Sequence, residues 1–450
     1  MGAARRARFG WLGAALLAVA AAACAGASRA PEAGGEAAEA AGADDPARPE
    51  ADDVPEAGTP GVDADAGARP AGPWEVPIGP VDRAFFAGPW LGETTPTSVT
   101  VSWQTDLPGD AVVEVGSDAT YGRRAEGSAD ATLHEVRVTG LAPEALYHYR
   151  ACTGATCTGD LTFATAPLPG RPFRFAVYGD SQTGADVHAR LSARLVEDRP
   201  ALVLHTGDVV GYGADRASYI TEFFEPVRPR NHYVPTFPVP GNHDWKERID
   251  LLQNFRDHFA LPVDPGVPLP EASYAFSYGD AFFLALDNTL DGGDFFFPLG
   301  GAKTPPLWDW LQAQVASEAA RGARWRFAFF HYPPQSACQE TWMQMQATRD
   351  VVLPLLQQHG FHAVFTGHTH EYEHQLYDRV HVFVTGGGGG GLDTDESCTN
   401  ALPELVMRRS EHHHLVVELG DGQATVRAVS VDGEEFDRVT LDREPDARSN

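Results

Sequence analysis

The stretch FRFAVYGDSQTG, residues 173–184, sets a short apolar run directly against a Gly-Asp pair, and the rest of the chain is read from it. A run of that length without a polar face reads as a buried sheet strand. The glycine that ends it permits a tight turn, which carries Asp180 to the carboxyl end of the strand. The same pattern recurs downstream. ALVLHTGD (201–208) ends in Asp208, AFFLALDN (281–288) in Asn288, RFAFFH (326–331) in His331, and HAVFTGHTH (362–370) in His368 and His370. GNHD at 241–244 adds Asn242, His243 and Asp244. Helical candidates fall between these runs, near 187–197, 217–224, 246–259, 306–320 and 348–358. The alternation predicts an α/β sheet whose functional groups gather at the carboxyl ends of its strands. HVFVTGG, HLVVEL, ATVRAVSV and FDRVTL, between 381 and 441, are expected to complete a second sheet.

Hard oxygen donors and imidazoles on separate loops are what a two-metal hydrolytic site requires. A single GD pair is commonplace, but two GD turns, GDSQTG and GDVVGYG, followed by GNHD, FFHYP and GHTH point to a metal site. His368 and His370 are two apart, so on an extended loop they point alike and can address neighbouring ions. His205, on the strand before Asp208, reads as a packed side chain. In the run His412, His413 and His414, neighbours on a strand face opposite ways. The six glycines at 386–391 suit either a mobile loop or a backbone packed close to the site, its amides free to meet an anionic ligand.

These motifs, in this order, resemble the calcineurin-like metallophosphoesterase superfamily. The β-rich segment before them brings the resemblance nearest to the purple acid phosphatase branch, over roughly residues 85–441. The resemblance implies a four-layer α-β-β-α sandwich preceded by a small all-β sandwich. It implies that Asp208 bridges two metals, with Asp180 and His370 on the first and Asn242, His331 and His368 on the second. His243 is then the catalytic imidazole near the leaving oxygen, with Asp244 to orient or polarise it. So many imidazoles beside carboxylates suit iron, manganese or zinc better than magnesium. Two positions depart from the pattern. Purple acid phosphatases carry GDxxY, whose Tyr binds ferric iron and gives the colour; here Gly211 stands at that place and Tyr212 is displaced by one, which implies a colourless enzyme. Gln182 stands where related branches place a His, either as a weak ligand or as a neighbour that binds water.

Ahead of the catalytic segment, SVTVSWQT, AVVEVG, HEVRVTGL, LYHYRAC and DLTFAT alternate apolar and polar residues between frequent turns, the pattern of an antiparallel sandwich with Trp103 in its core. The segment resembles a fibronectin type III domain, with Leu141, Pro143 and Tyr147 in its tyrosine-corner region. Tyr147 and Tyr149 read as packing residues. The expected organisation is a signal peptide at 1–24, an acidic linker at 25–80, the fibronectin-like domain at 81–167 and the catalytic domain at 168–445. Arg5, Arg6 and Arg8 precede an apolar run at 11–23 that is too short to span a bilayer comfortably and suits an export signal. The run stops at Cys24 and resembles a lipoprotein cleavage box, although Ala21 stands where such boxes usually carry Leu. Residues 31–65 hold eleven Asp and Glu against one Arg48, and read as a solvated tether.

Removing Cys24 leaves Cys152, Cys157, Cys338 and Cys398, for which three pairings are possible. Cys152 and Cys157 bracket TGAT between predicted strands, so a hairpin-tip bridge is the simplest pairing and leaves Cys338 for Cys398. At 450 residues with 43% hydrophobic and 21% charged, the chain has room for a large core and a second domain. Its net charge of -28 argues against general binding to nucleic acid backbones or anionic membranes. The function expected is exported hydrolysis of phosphate monoesters by a water activated between two metals, acting on a small phosphorylated substrate at the periplasm or cell surface. A phosphodiesterase with the same site is the alternative, and a non-catalytic surface binding protein is the reading from a different class.

Overall fold

The computed structural model describes residues 76, 78–245, 252–289, 306–420 and 422–443. The signal peptide, the lipobox Cys24 and the acidic linker fall outside them, apart from residue 76 and residues 78–80. All the described residues lie in one unit, Ala68–Asn450.

Two sheets face each other at its centre. The first has six strands in the order Thr236–Pro238, Val203–His205, Phe173–Tyr178, His413–Leu419, Gln423–Ser430 and Glu435–Asp442. The second has seven, in the order Tyr274–Tyr278, Ala281–Ala285, Trp325–Phe329, Ala363–Thr366, Val380–Thr385, Tyr372–Tyr377 and Leu405–Arg409. Pairing is parallel among the first three strands of the six-stranded sheet and from Ala281–Ala285 to Val380–Thr385 in the other. The strands that carry motifs therefore all end at one rim.

The period-two alternation of side chains divides each strand between layers. Phe175 points between the sheets, where it meets Phe283, Phe327 and Phe365 at ring-centroid distances of 5.1, 5.4 and 6.0 Å. Its neighbours Ala176 and Tyr178 point the other way, against Leu191 and Leu195 of the helix Ala185–Glu197. On the far side, Phe282, Leu284, Ala328 and Val364 pack under Leu307, Leu311 and Leu356 of the helices Pro306–Val315 and Leu353–Gln358. The expected α-β-β-α layering follows. One expectation needs correcting: Val380–Thr385 does not join the later strands but inserts into the seven-stranded sheet beside Ala363–Thr366, while the other three late runs extend the six-stranded sheet from Phe173–Tyr178.

The N-terminal segment is a sandwich of a three-stranded sheet, Ala87–Gly92, Ser98–Gly109 and Ala131–Thr139, and a five-stranded one centred on Leu146–Thr153. Trp103 is fully buried between them. Tyr147 closes the corner, its hydroxyl accepting the Ala142 N–H at 2.9 Å. Tyr149 donates to the His232 carbonyl at 2.7 Å, and Arg228 donates to the carbonyls of Gly88 and Phe86 at 3.0 and 2.7 Å, which fastens the sandwich to the catalytic layers. Both expected disulfides form, Cys152–Cys157 and Cys338–Cys398.

Candidate metal centre

Each motif loop leaves its strand through a strained or sterically open position. Asp180, Asp208 and His368 sit at φ of 58°, 52° and 71°, in the left-handed region that Asp and His tolerate better than most residues. Glycines provide the room. A Cβ at Gly241 would stand 2.1 Å from Asp208 Oδ1, and one at Gly367 would stand 2.2 Å from Asp180 Oδ2. The run at 386–391 is a close-packed backbone: a Cβ at Gly388 would meet the Gly179 carbonyl at 2.2 Å, and one at Gly390 would meet the His370 ring at 2.8 Å.

The six candidate ligands converge. His331 Nε2 lies 3.5 Å from Asp208 Oδ2 and 3.0 Å from Asn242 Oδ1, and His368 Nδ1 lies 3.1 Å from the same Asn242 oxygen. His370 Nε2 lies 3.6 Å from Asp180 Oδ1. Donor atoms bonded to a common ion at about 2.1 Å stand roughly 3 to 3.5 Å apart, so this spacing suits shared coordination. The tautomers suit it too. His331 Nδ1–H donates to the Thr206 carbonyl at 3.0 Å and His370 Nδ1–H to that of Gly391 at 2.6 Å, which turns each Nε2 toward the cluster. Two carboxylates, an amide oxygen and three imidazoles gathered this closely form a donor set that fits borderline-hard transition ions.

The charges respond to this crowding. Burial raises the Asp180 carboxyl above its ordinary range, against the pull of His370 and His331. Burial acts on Asp208 as well, but there His331 and His243 outweigh it and hold the carboxyl well below. Burial disfavours charge on His331 and His370, yet Asp208 and Asp180 respectively raise both imidazoles to about 9. His368 falls to about 3 through burial and the neighbouring His331.

Around these six, three sequence expectations resolve. Gln182 sends its amide nitrogen to Asp208 Oδ2 at 3.0 Å and lies 3.3 Å from His370 Nε2, so it braces two candidate ligands as a donor. His243 lies at the rim with its Nε2 3.9 Å from Asp208 Oδ2, and its Nδ1–H is given to the Gly211 carbonyl at 2.9 Å. The role expected of Asp244 is corrected. It does not orient His243 but accepts from the Gly241 and Val209 N–H groups at 2.8 and 3.2 Å and from the Tyr219 hydroxyl at 3.4 Å, clamping the GNHD turn to the Asp208 turn. Burial and the charge of Asp208 push its carboxyl up to about 8.

Other histidines stay outside the cluster. His205 bonds Ser181 Oγ at 3.1 Å and packs on Tyr178 and Phe223. His414 pairs with Asp198 at 3.0 Å, His413 with the Glu411 carbonyl at 2.7 Å and His412 with that of Gly387 at 3.1 Å. Cys338, Glu371 and Cys398 also lie within ligand reach of one another, but the sulfurs are bonded together and Glu371 is left to Arg408 at 2.6 Å. Two residues support the site in ways the sequence reading does not assign, although it places Asn288 at a strand end. Glu222 Oε2 accepts the N–H groups of Thr183 and Gly211 at 2.9 and 2.7 Å, tying the two Asp-bearing loops together. Asn288 exchanges bonds of 2.9 and 3.0 Å with the Tyr332 backbone, fixing the turn that carries His331. Glu222 has no spacing that marks it in the sequence, and the run ending at Asn288 marks a strand end without showing which backbone it holds.

A family model described as calcineurin-like phosphoesterase matches residues 173–372, and one described as purple acid phosphatase, N-terminal domain, matches residues 89–165. The chain carries a metallophosphoesterase domain behind a purple acid phosphatase N-terminal domain. It is homologous to purple acid phosphatases. Purple acid phosphatase 23 of Arabidopsis thaliana is 24% identical over 373 residues, covering 67% of this chain and 79% of that protein. An uncharacterized protein of Mycobacterium tuberculosis is 26% identical over 323 residues, covering 63% and 60%. Purple acid phosphatase 15 of Arabidopsis thaliana is 25% identical over 299 residues, and the match spans only 54% of that protein. Among solved structures, purple acid phosphatase PPD1 from yellow lupin seeds superposes with a TM-score of 0.66 at 16% identity, over 81% of this chain and 74% of that one. PhoD follows at 0.57 and 16%, over 79% and 88%. These two likenesses establish the fold.

Proposed function

We propose that the chain is an exported, metal-dependent phosphatase that hydrolyses phosphate monoesters of small molecules. The observation that carries the reading is the convergence of Asp180, Asp208, Asn242, His331, His368 and His370, with donor spacings of 3.0–3.6 Å. Asp208, at the centre of the cluster, would be shared by two ions, of which Asp180 and His370 would hold one and Asn242, His331 and His368 the other. Iron, manganese or zinc held there would supply Lewis-acid polarisation and would lower the pKa of water. Gln182 and Glu222 hold the carboxylate loops in place, and Asp244 fixes the turn that presents Asn242 and His243.

His243 stands at the rim with Nδ1 committed to Gly211. In its protonated form it offers Nε2–H to the departing oxygen. A P–O bond to water would form as the water gives a proton to solvent, the P–O bond to the alcohol would break, and the His243 proton would complete the alcohol.

Two disulfides support an oxidising compartment, and the apolar run ending at Cys24 supports export with lipid attachment. The Tyr147 corner supports kinship of the first domain with fibronectin type III domains. The acidic charge of -28 supports a small phosphorylated substrate and not a nucleic acid.

Turnover of a monoester and a diester of one leaving alcohol tests the reaction. Faster monoester turnover is expected, and turnover of the diester alone overturns the monoester assignment. Fatty-acid labelling of wild type and Cys24→Ala tests the anchor, with equal labelling as the refuting result.

A further inference from the structure

An aromatic wall leads from the metal cluster to solvent. His331 and Tyr332 are buried, and the ring of His368 lies 5.2 Å from the first and 4.3 Å from the second. Beyond them stands Trp342, 5.0 Å from the His368 ring and 5.9 Å from that of Tyr332. It is the outermost member, 45% exposed, and Met343 beside it is 55% exposed. Leaving so much indole in water forgoes a large apolar burial, so an exposed Trp at the mouth of a polar site calls for a partner. Among the described residues the other exposed large aromatics are Phe86 and Tyr212, and Tyr212 follows the residue whose carbonyl holds His243.

The loop that presents Trp342 is fastened. Cys338 is bonded to Cys398, and the Asn400 side chain donates to the Ser336 and Gln339 carbonyls at 3.0 and 2.7 Å. A platform held in advance costs little ordering when a planar group lands on it.

We infer that Trp342 is a specificity-determining residue, which stacks a planar aromatic leaving group, an aryl ring or a nucleobase, of a phosphate ester held at the metal cluster. The inference rests on the phosphate-ester reading above and deepens it by naming the leaving group. A stacked ring on such a platform selects against an alkyl group of similar charge, and Met343 gives the contact an adaptable edge.

The test is calorimetric titration of the metal-loaded protein with phenylphosphonate, an adenine-bearing phosphonate and methylphosphonate, for wild type, Trp342→Ala and Trp342→Phe. Wild type should bind the better aromatic probe about fivefold or more tightly than methylphosphonate. Trp342→Ala should lose that preference while keeping methylphosphonate affinity, and Trp342→Phe should retain most of it. A lead of the adenine probe over phenyl assigns a nucleotide, and equality of the two assigns aromatic esters in general. Equal affinity of wild type for all three probes overturns the inference, as does a preference that survives in Trp342→Ala, a parallel loss for every probe, or no binding at all. Monoester turnover without the preference removes this inference alone, whereas the preference without monoester turnover removes the hydrolytic reading alone.

Discussion

The two central sheets contribute different chemistry to one rim. The six-stranded sheet supplies the oxygen donors, with Asp180, Asp208 and Asn242 following strands Phe173–Tyr178, Val203–His205 and Thr236–Pro238. The seven-stranded sheet supplies the nitrogen donors, with His331 following Trp325–Phe329, and His368 and His370 following Ala363–Thr366. Neither sheet alone assembles a mixed donor set. The site therefore depends on how the sheets pack, and the phenylalanines around Phe175 belong to its construction as much as the motif residues do.

The oxygen side should break first and furthest. Asp208→Asn removes the charge that faces both His331 and His243, and should lower turnover about a thousandfold with loss of bound metal. Wild-type turnover together with wild-type metal content would end the bridging assignment. Next comes the seam between the sheets. Phe175→Ala opens a cavity among three aromatic rings and should cost about 3–5 kcal/mol. Thermal melting should fall by several degrees, and metal affinity should fall with it because both donor sets shift. Unchanged metal affinity in a protein of lowered melting temperature would uncouple the seam from the site.

How much of this could be read in advance follows from which forces act locally. Apolar runs ending in Gly-Asp or His mark strands and their functional ends because burial and turn chemistry both act within a few residues. Partner choice among strands does not. Val380–Thr385 and His413–Leu419 look alike in sequence, and only pairing across the fold assigns them to opposite sheets. Tyr372–Tyr377 has no apolar run to mark it as a strand, because Glu373, His374 and Gln375 are polar. They are buried all the same, with Glu373 accepting from Ser336 Oγ and the Ala337 N–H at 3.0 and 2.8 Å and Gln375 donating to the Gln335 carbonyl at 2.9 Å. For Asp244 the resemblance implied a partner to His243, while the turn sends the two side chains to different partners.

A finer test acts on the oxygen side without touching a candidate ligand. Glu222→Ala removes the acceptor that joins the Thr183 and Gly211 loops, and should reduce metal affinity and turnover about 10- to 100-fold in a folded protein. Circular dichroism separates this from unfolding, and an unaffected enzyme would show that the loops hold themselves.

The smallest effect concerns the attachment of the first helix to the six-stranded sheet. Asp198 caps the helix Ala185–Glu197 and bonds His414 and Arg427 at 3.0 and 2.8 Å. Burial raises its carboxyl, but His414 and Arg427 outweigh burial and hold it below the ordinary 3.8. A depressed folded pKa contributes stability that is present above the unfolded value and is lost as pH falls through the folded one. Asp198→Asn should therefore cost about 1 kcal/mol near neutral pH, with the gap closing as pH drops below 4. A melting difference that stays constant with pH would contradict the ion-pair account.

The dependence of one site on two sheets is tested most directly by metal stoichiometry. Elemental analysis of the purified, loaded protein should find two transition ions per chain. It should find a deficit both in Asp208→Asn, on the oxygen side, and in His331→Ala, on the nitrogen side. A wild-type chain that holds no more than one ion, or variants on either side that retain two, would contradict it.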